Sequence, residues 1–531
     1  MDTQDPLTHD PTTRLTPAEK KLVAELNATS NRETVLAELK ANLQTAIEIE
    51  LATISIYLYT YYSINRTATS GENIDRRQAY ANKAGAMIMS VAVEEMLHLS
   101  LSSNVLHAMG VPPKLYGQAP KQYPTGLPYH NPQGPKGPNG ETAVSIPLGK
   151  LSFEQLWHFL QIEYPEKWDG LPEDRNWQTI GQFYSYIRCL IRTKFVTDDD
   201  FRKGAQANAI QPYNYSPDNT DTVYPTGKFD PWKPAPGGST PEWTNADQYP
   251  SAAEAAVFTN QPDSHAGPSQ RMTVQSRVDA AWAIDTICDQ GEGYPVPNFG
   301  PSSTDDPSKS EKSHYVKFLM LQAQYADYAK TTESLPTDPP PPPPQLPTVT
   351  AEGLAAAGLV YNLADNPTAA GYPKEYLAIA NFCSACFQYM LIMIETIYRV
   401  PPAEQKLFFN EGLHRSMIWL LDKYCQQIVG LPVGDLTSKT PVLMGPVFEN
   451  VDLGPQKTSF ARLTAFGAEA IVAANAVTNE INKTPVNKQT AMQQNITGIM
   501  GMVISFVQSF TPQPNSAGVT TTYLPDVARY W

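Results

Sequence analysis

Glu95 and His98, in Val93-Glu94-Glu95-Met96-Leu97-His98, are a carboxylate and an imidazole three residues apart. On an α-helix that spacing puts both side chains on one face, where they can reach a single metal ion. Upstream, the run Leu43-Gln44-Thr45-Ala46-Ile47-Glu48-Ile49-Glu50-Leu51-Ala52-Thr53 sets carboxylates inside an otherwise apolar segment. A carboxylate on one helix and a Glu-x-x-His on the next make half of a two-metal carboxylate site. Most Glu-x-x-His occurrences are solvated pairs. Here Met87, Ile88, Met89, Val91, Val93, Met96, Leu97 and Leu99 flank the pair and disfavour a solvated face. Burying the carboxylate in such a run costs several kcal/mol unless it is paired or metal-bound.

The elements that must position these residues are helical. Periodicity predicts long helices over 33–64 and 76–109, the second stopped by Gly110 with Pro112 and Pro113 beyond it. A turn-rich stretch, 111–147, precedes shorter helices at 152–161 and 177–196. Residues 203–273 read as irregular apart from a helical patch at 251–258, and helices follow at 272–290 and 314–331. Pro339 to Pro344 form a polyproline run, and beyond it 373–399, 403–430, 457–481 and 485–510 are apolar helices. Strand signals are weak, so the expected fold class is all-α with large irregular loops. The expected organisation is a tail at 1–30, a metal-binding bundle at 31–335 with insertions near 111–150, 203–273 and 293–313, a Pro-rich loop at 336–350, and C-terminal helices at 351–531. One shared core is favoured over two independent domains.

A two-metal bundle needs roughly four carboxylates and two histidines, and the chain has only eight histidines. His9, His130 and His265 lie in polar, turn-rich segments and read as exposed. His107 and His158 read as core or boundary residues. His314 opens one helix and Glu292 closes the helix before it, so the loop between them can make a split version of Glu-x-x-His. Glu163, in Leu160-Gln161-Ile162-Glu163, is a further carboxylate in an apolar setting. Glu411-Gly412-Leu413-His414, with Glu395 upstream, is a competing constellation. Gly412 and Arg415 suggest a less buried helix boundary there and rank it lower.

Composition excludes several function classes. The 531 residues carry a net charge of −14, which disfavours nucleic acid as a partner. The polar N-terminus has no signal-peptide pattern, and no stretch of about 18 uninterrupted apolar residues suggests a membrane span. The expectation is a cytoplasmic protein without membrane partners. The five cysteines are few, odd in number and far apart, which argues against a disulfide framework. Cys383-Ser-Ala-Cys386 lies in an apolar helical run and reads as packed thiols.

At a set of ordered motifs the chain resembles a known family. They are Ala46 to Ile54, Val93 to His98, Pro124-Thr125-Gly126-Leu127-Pro128, Phe159 to Glu163, Ile180-Gly181-Gln182-Phe183-Tyr184, Gln290 to Gly293 and Ser313-His314-Tyr315. They are similar to the ferritin-like domain of the iminophenyl-pyruvate dimer synthases, the bisindole-forming enzymes of violacein- and rebeccamycin-type pathways. The similarity covers about residues 35–330, with a weaker extension at Leu431-Pro432 and Gly445 to Glu449. It implies a ferritin-like bundle with long insertions and additional C-terminal helices. It also implies Glu50, Glu95, His98, Glu292 and His314 as candidate metal ligands, with Glu163 as a further one. Gln182 stands where many relatives carry an acidic residue, which puts a ligand from that helix in doubt.

The expected function is a metal-dependent, di-iron oxidoreductase acting on a small organic substrate in secondary metabolism, with dioxygen or peroxide as co-substrate. Manganese or a mixed metal pair is the alternative occupant. Tyr57, seven residues from Glu50, and Tyr315, adjacent to His314, are candidates to line the pocket, as hydrogen-bond donors or merely as packing. The alternative function is a ferritin-like protein that binds metal without turnover or keeps a vestigial site. The oligomeric state is left open.

Overall fold

The two longest helices of the bundle start from simple local chemistry. Asn31 caps α2 (Arg32–Tyr62), its side-chain oxygen accepting from the Thr34 amide at 3.0 Å. From Leu43 onward nearly every α2 residue is buried, so this helix runs through the middle of the core. α3 (Arg76–Ala108) ends where the sequence predicts, at Gly110, whose φ of 78° is the left-handed geometry that favours glycine. The two helices run antiparallel, with Thr53 beside Glu95 and Glu50 beside His98.

The computed structural model describes residues 15–66, 76–131, 145–164, 166, 170–203, 274–292, 314–328, 358–401, 408, 413, 424–434, 441–508, 510, 513–514, 520–521 and 524–531. The irregular segment 204–273, the polyproline run, His9, His265, Glu411 and His414 lie outside them.

Around α2 and α3 the remaining walls of the bundle are each made of two pieces. α4 (Phe153–Ile162) packs on α7 (His314–Tyr328), and α5 (Ile180–Arg192) packs on α6 (Arg277–Glu292). The first pair covers the end of α2 and the start of α3. Tyr57 meets Phe159 edge-on at 4.7 Å and Phe318 at 5.2 Å, and Tyr80 donates to the Leu321 carbonyl at 3.0 Å. The second pair covers the other half, where Tyr186 donates to Glu38 at 3.2 Å. Pro165 after α4 and Pro295, Pro297, Pro301 and Pro307 after α6 forbid continuous helices. The end of α4, the end of α6 and the start of α7 meet: His314 Nδ1 lies 3.5 Å from Glu163, and a Cβ on Gly291 would stand 3.7 Å from the same carboxylate.

Part of the segment expected as an N-terminal tail is ordered helix. α1 (Pro17–Thr29) opens with a Thr16–Glu19 capping box. Glu19 is fully buried and meets Arg188 of α5, whose Nε lies 2.8 Å away. Arg188 also reaches Asp285 of α6 at 3.0 Å, so one guanidinium ties three helices together.

Among the described residues the C-terminal helices are α8 (Leu377–Ile397), α9 (Tyr424–Ile428), α10 (Ser459–Ile481) and α11 (Ala491–Gln508). α10 and α11 pair with each other, and α10 packs on α8. Phe382 of α8 meets Tyr424 at 5.2 Å and Phe510 at 5.9 Å. A single cluster of buried residues runs from Val35 to Val527, so both halves of the chain share one core. The fold is all-α; among the described residues a two-residue antiparallel pair, Gln513–Pro514 with Thr520–Thr521, is a minor addition.

Among the described residues three helical stretches are long and apolar enough to cross a membrane, contrary to the sequence expectation of none: Tyr80–Ala108, Leu377–Ile397 and Gln456–Ile481. The first two are 83% buried inside the fold, which accounts for their apolar character here. All five cysteines are buried and none forms a disulfide; Cys383 Sγ lies 3.8 Å from Cys425 Sγ.

Candidate metal centre

Five of the six predicted ligands converge where the helix pieces meet. Glu50 comes from the middle of α2, Glu95 and His98 from α3, Glu163 from the C-cap of α4, and His314 from the first position of α7. Their ligand atoms form two triads that share Glu95: Glu50, Glu95 and His98 in one, Glu95, Glu163 and His314 in the other. His98 Nδ1 lies 3.7 Å from Glu50 and 3.8 Å from Glu95, while His314 Nδ1 lies 2.8 Å from Glu95 and 3.5 Å from Glu163. The two imidazoles are roughly parallel, with centroids 5.4 Å apart. None of the five residues is more than 3% exposed.

Glu292, the sixth, is the last residue of α6, and its side chain lies outside the described ones. Its neighbour Gly291 is buried, and a Cβ there would stand 3.7 Å from Glu163 Oε2. The end of α6 therefore abuts the second triad.

The electrostatics show what a metal-free cluster must tolerate. Burial, then the Glu95 charge, raises the Glu50 carboxyl well above the ordinary carboxylate range. Glu163 is raised by the same two causes. Burial also opposes ionisation of Glu95, but His314 and His98 outweigh it and hold its pKa down to about 2. Burial works against a charged His314, yet Glu163, Glu94 and Glu95 together raise its pKa well above the usual imidazole value.

Four of the five ligands are held from behind. Tyr184 donates to Glu50, Tyr57 donates to Glu163, and Thr53 Oγ1 donates to Glu95 at 2.7 Å. Burial and the adjacent carboxylates keep both phenols protonated far above the usual tyrosine range. His314 Nε2 lies 2.6 Å from Glu94 Oε2, and Lys317 Nζ grips both Glu94 oxygens at 2.6 and 2.7 Å. His314 Nδ1, close as it is to Glu95, has no hydrogen-bond alignment to any partner. A buried imidazole nitrogen so placed, between the Glu95 and Glu163 carboxylates, suits a metal ligand.

Sequence reasoning missed Glu94 and Lys317, although His314-x-x-Lys317 is itself an i,i+3 spacing that puts both on one face of α7. It also placed the interest of the Gly-x-Phe-Tyr motif in Gln182. Gln182 instead accepts from the Gln178 amide at 2.8 Å, and Tyr184 is the residue that reaches the cluster. Tyr57 is a hydrogen-bond donor, whereas Tyr315 packs against Tyr164. His130, expected as exposed, is half-buried and stacks on Trp177 at 4.4 Å, because its loop folds back onto the start of α5. Glu395, part of the competing constellation, accepts the Leu115 and Tyr116 amides at 2.7 and 2.8 Å and holds a loop.

No curated protein and no solved structure matches this chain. A family model does: residues 43–228 match the ferritin-like family, a stretch that carries α2 from Leu43 onward and α3 to α5, and with them Glu50, Glu95, His98 and Glu163.

Proposed function

We propose that this protein is a non-haem di-metal oxidoreductase acting on a small organic molecule, with two iron ions held by Glu50, Glu95, His98, Glu163 and His314. The observation that carries this reading is the pair of buried triads sharing Glu95. Three carboxylates and two imidazoles are the donor types that hold iron or manganese, and one bridging carboxylate is how two such ions are kept close together. When bound, the ion pair would supply electrons for the reduction of dioxygen.

The chain's own residues prepare that chemistry. Tyr184, Tyr57 and Thr53 fix the rotation of the three carboxylates. Glu94 and Lys317 fix His314 so that Nδ1 faces the cluster, in the manner of a carboxylate–histidine–metal relay. The surrounding Ile, Leu and Phe side chains keep bulk water away. The motif resemblance to the iminophenyl-pyruvate dimer synthases supports an oxidative reaction on an aromatic substrate in secondary metabolism. The proposed setting is the cytoplasm.

A second reading, metal binding without turnover, is favoured by the complete burial of all five residues. Oxygen uptake separates the two. Anaerobically Fe(II)-loaded protein exposed to air should consume oxygen repeatedly when a reductant and an aromatic substrate are supplied. A single stoichiometric uptake with no further turnover would support the second reading.

A further inference from the structure

A separate cavity opens where the end of α2 meets α9 and the start of α11. It holds about 600 Å³, within the roughly 300–1,000 Å³ of small-molecule sites. Tyr61, Tyr62 and Tyr361 supply aromatic faces, Gln426 and Asn495 supply amides, and Arg66 supplies a charge. Among the described residues its lining contains no aspartate or glutamate, in a chain of net charge −14.

Arg66 is placed with care. Its guanidinium carbon lies 4.2 Å above the Tyr61 ring, and it donates to the Tyr61 hydroxyl. Among the described residues no carboxylate pairs with it. Its stem crosses α3 at Gly85, where a Cβ would stand 2.5 Å from Arg66 Cδ. Glycine inside a helix costs about 1 kcal/mol relative to alanine. Here it leaves the passage along which Arg66 reaches the cavity.

From this arrangement we infer that the cavity is a binding site for an aromatic monocarboxylate. The ring lies among the tyrosines, the carboxylate meets the open edge of the Arg66 fork, and the amides take ring substituents. The site is distinct from the metal centre. Tyr61 lies eleven residues beyond Glu50 on α2, about 16 Å along the helix axis. A single-ring ligand in the cavity does not touch the five cluster residues. The inference therefore stands independently of the metal reading.

The test is calorimetric titration of the full chain with 4-hydroxybenzoate and with 4-hydroxybenzamide, its neutral counterpart of the same shape. The wild type should bind the carboxylate on the order of tenfold more tightly, as one charge-assisted contact contributes. Arg66→Gln should erase that preference while retaining the amide's affinity. Met492→Trp, which fills the cavity from the first turn of α11, should weaken both ligands. It decides the matter if Arg66→Gln fails to fold. Chelator-treated, metal-free wild type should bind both as the Fe(II)-loaded protein does. No binding, equal affinity for the two ligands, a preference surviving in Arg66→Gln, unchanged binding in Met492→Trp, or loss of binding in the metal-free protein would each overturn the inference.

Discussion

His314 Nε2 and Glu94 Oε2 are 2.6 Å apart across 220 residues of chain, and that contact settles which imidazole nitrogen faces the cluster. With Nε2 engaged, Nδ1 is the nitrogen left for a metal. Lys317 holds Glu94 in turn, and the Glu94 carboxyl is kept ionised far below its usual range. Burial alone would raise it, but Lys317 and His314 overcome that. Glu94→Ala should weaken metal binding about 10- to 100-fold with the five ligands intact. Competition with a coloured chelator measures this, and unchanged affinity would remove Glu94 from the site.

Metal binding should strengthen as pH rises. Glu50 and Glu163 have raised values in the metal-free protein, and so has His314, so each ligand gives up a proton to a metal. Every proton displaced adds about tenfold in apparent affinity per pH unit below the raised value. The carboxyls also set a sign for stability. The folded metal-free state binds more protons than the unfolded chain, so its stability falls as pH rises from the ordinary carboxylate value through the raised ones. Metal titrations and urea melts at pH 5.5 and 7.5, chosen as about one unit either side of an ordinary imidazole, check both. Affinity that fell with pH would contradict the protonation pattern.

Arg188 should matter for folding and not for metal. It sits between Glu19 and Asp285 with all three buried. Arg188→Met takes the shared cation from two buried carboxylates, leaving Asp285 only the more distant Arg192 at 3.6 Å, and should cost about 3–5 kcal/mol in urea unfolding. The double variant with Glu19→Gln should recover part of that loss, since one of the stranded charges is then gone. An additive double variant would mean that the pair is not coupled.

Much of the centre was legible because local rules govern it. Glu95-x-x-His98 announces itself by spacing, and the apolar run around Glu50 announces burial. Gly110 stops α3 because it alone takes φ of 78° without strain. Glu94 was hidden because it lies next to Glu95, about 100° around the helix, and faces α7, whose position only the tertiary fold sets. The role of Tyr184 was hidden for the same reason: its hydroxyl reaches Glu50 across 134 residues. Nothing local distinguishes the buried Glu395, which holds backbone amides, from the buried Glu50, which joins a triad. That difference lies in what the fold brings opposite each carboxylate.

The central claim is that Glu95 is shared by two ion sites. Its most direct test is the metal content per chain of anaerobically Fe(II)-loaded protein, by elemental analysis, in the wild type and three variants. The account predicts two ions in the wild type, one remaining in His98→Ala, one in His314→Ala and fewer than one in Glu95→Ala. A wild type that holds no iron, or a Glu95→Ala variant that keeps two ions, would contradict it.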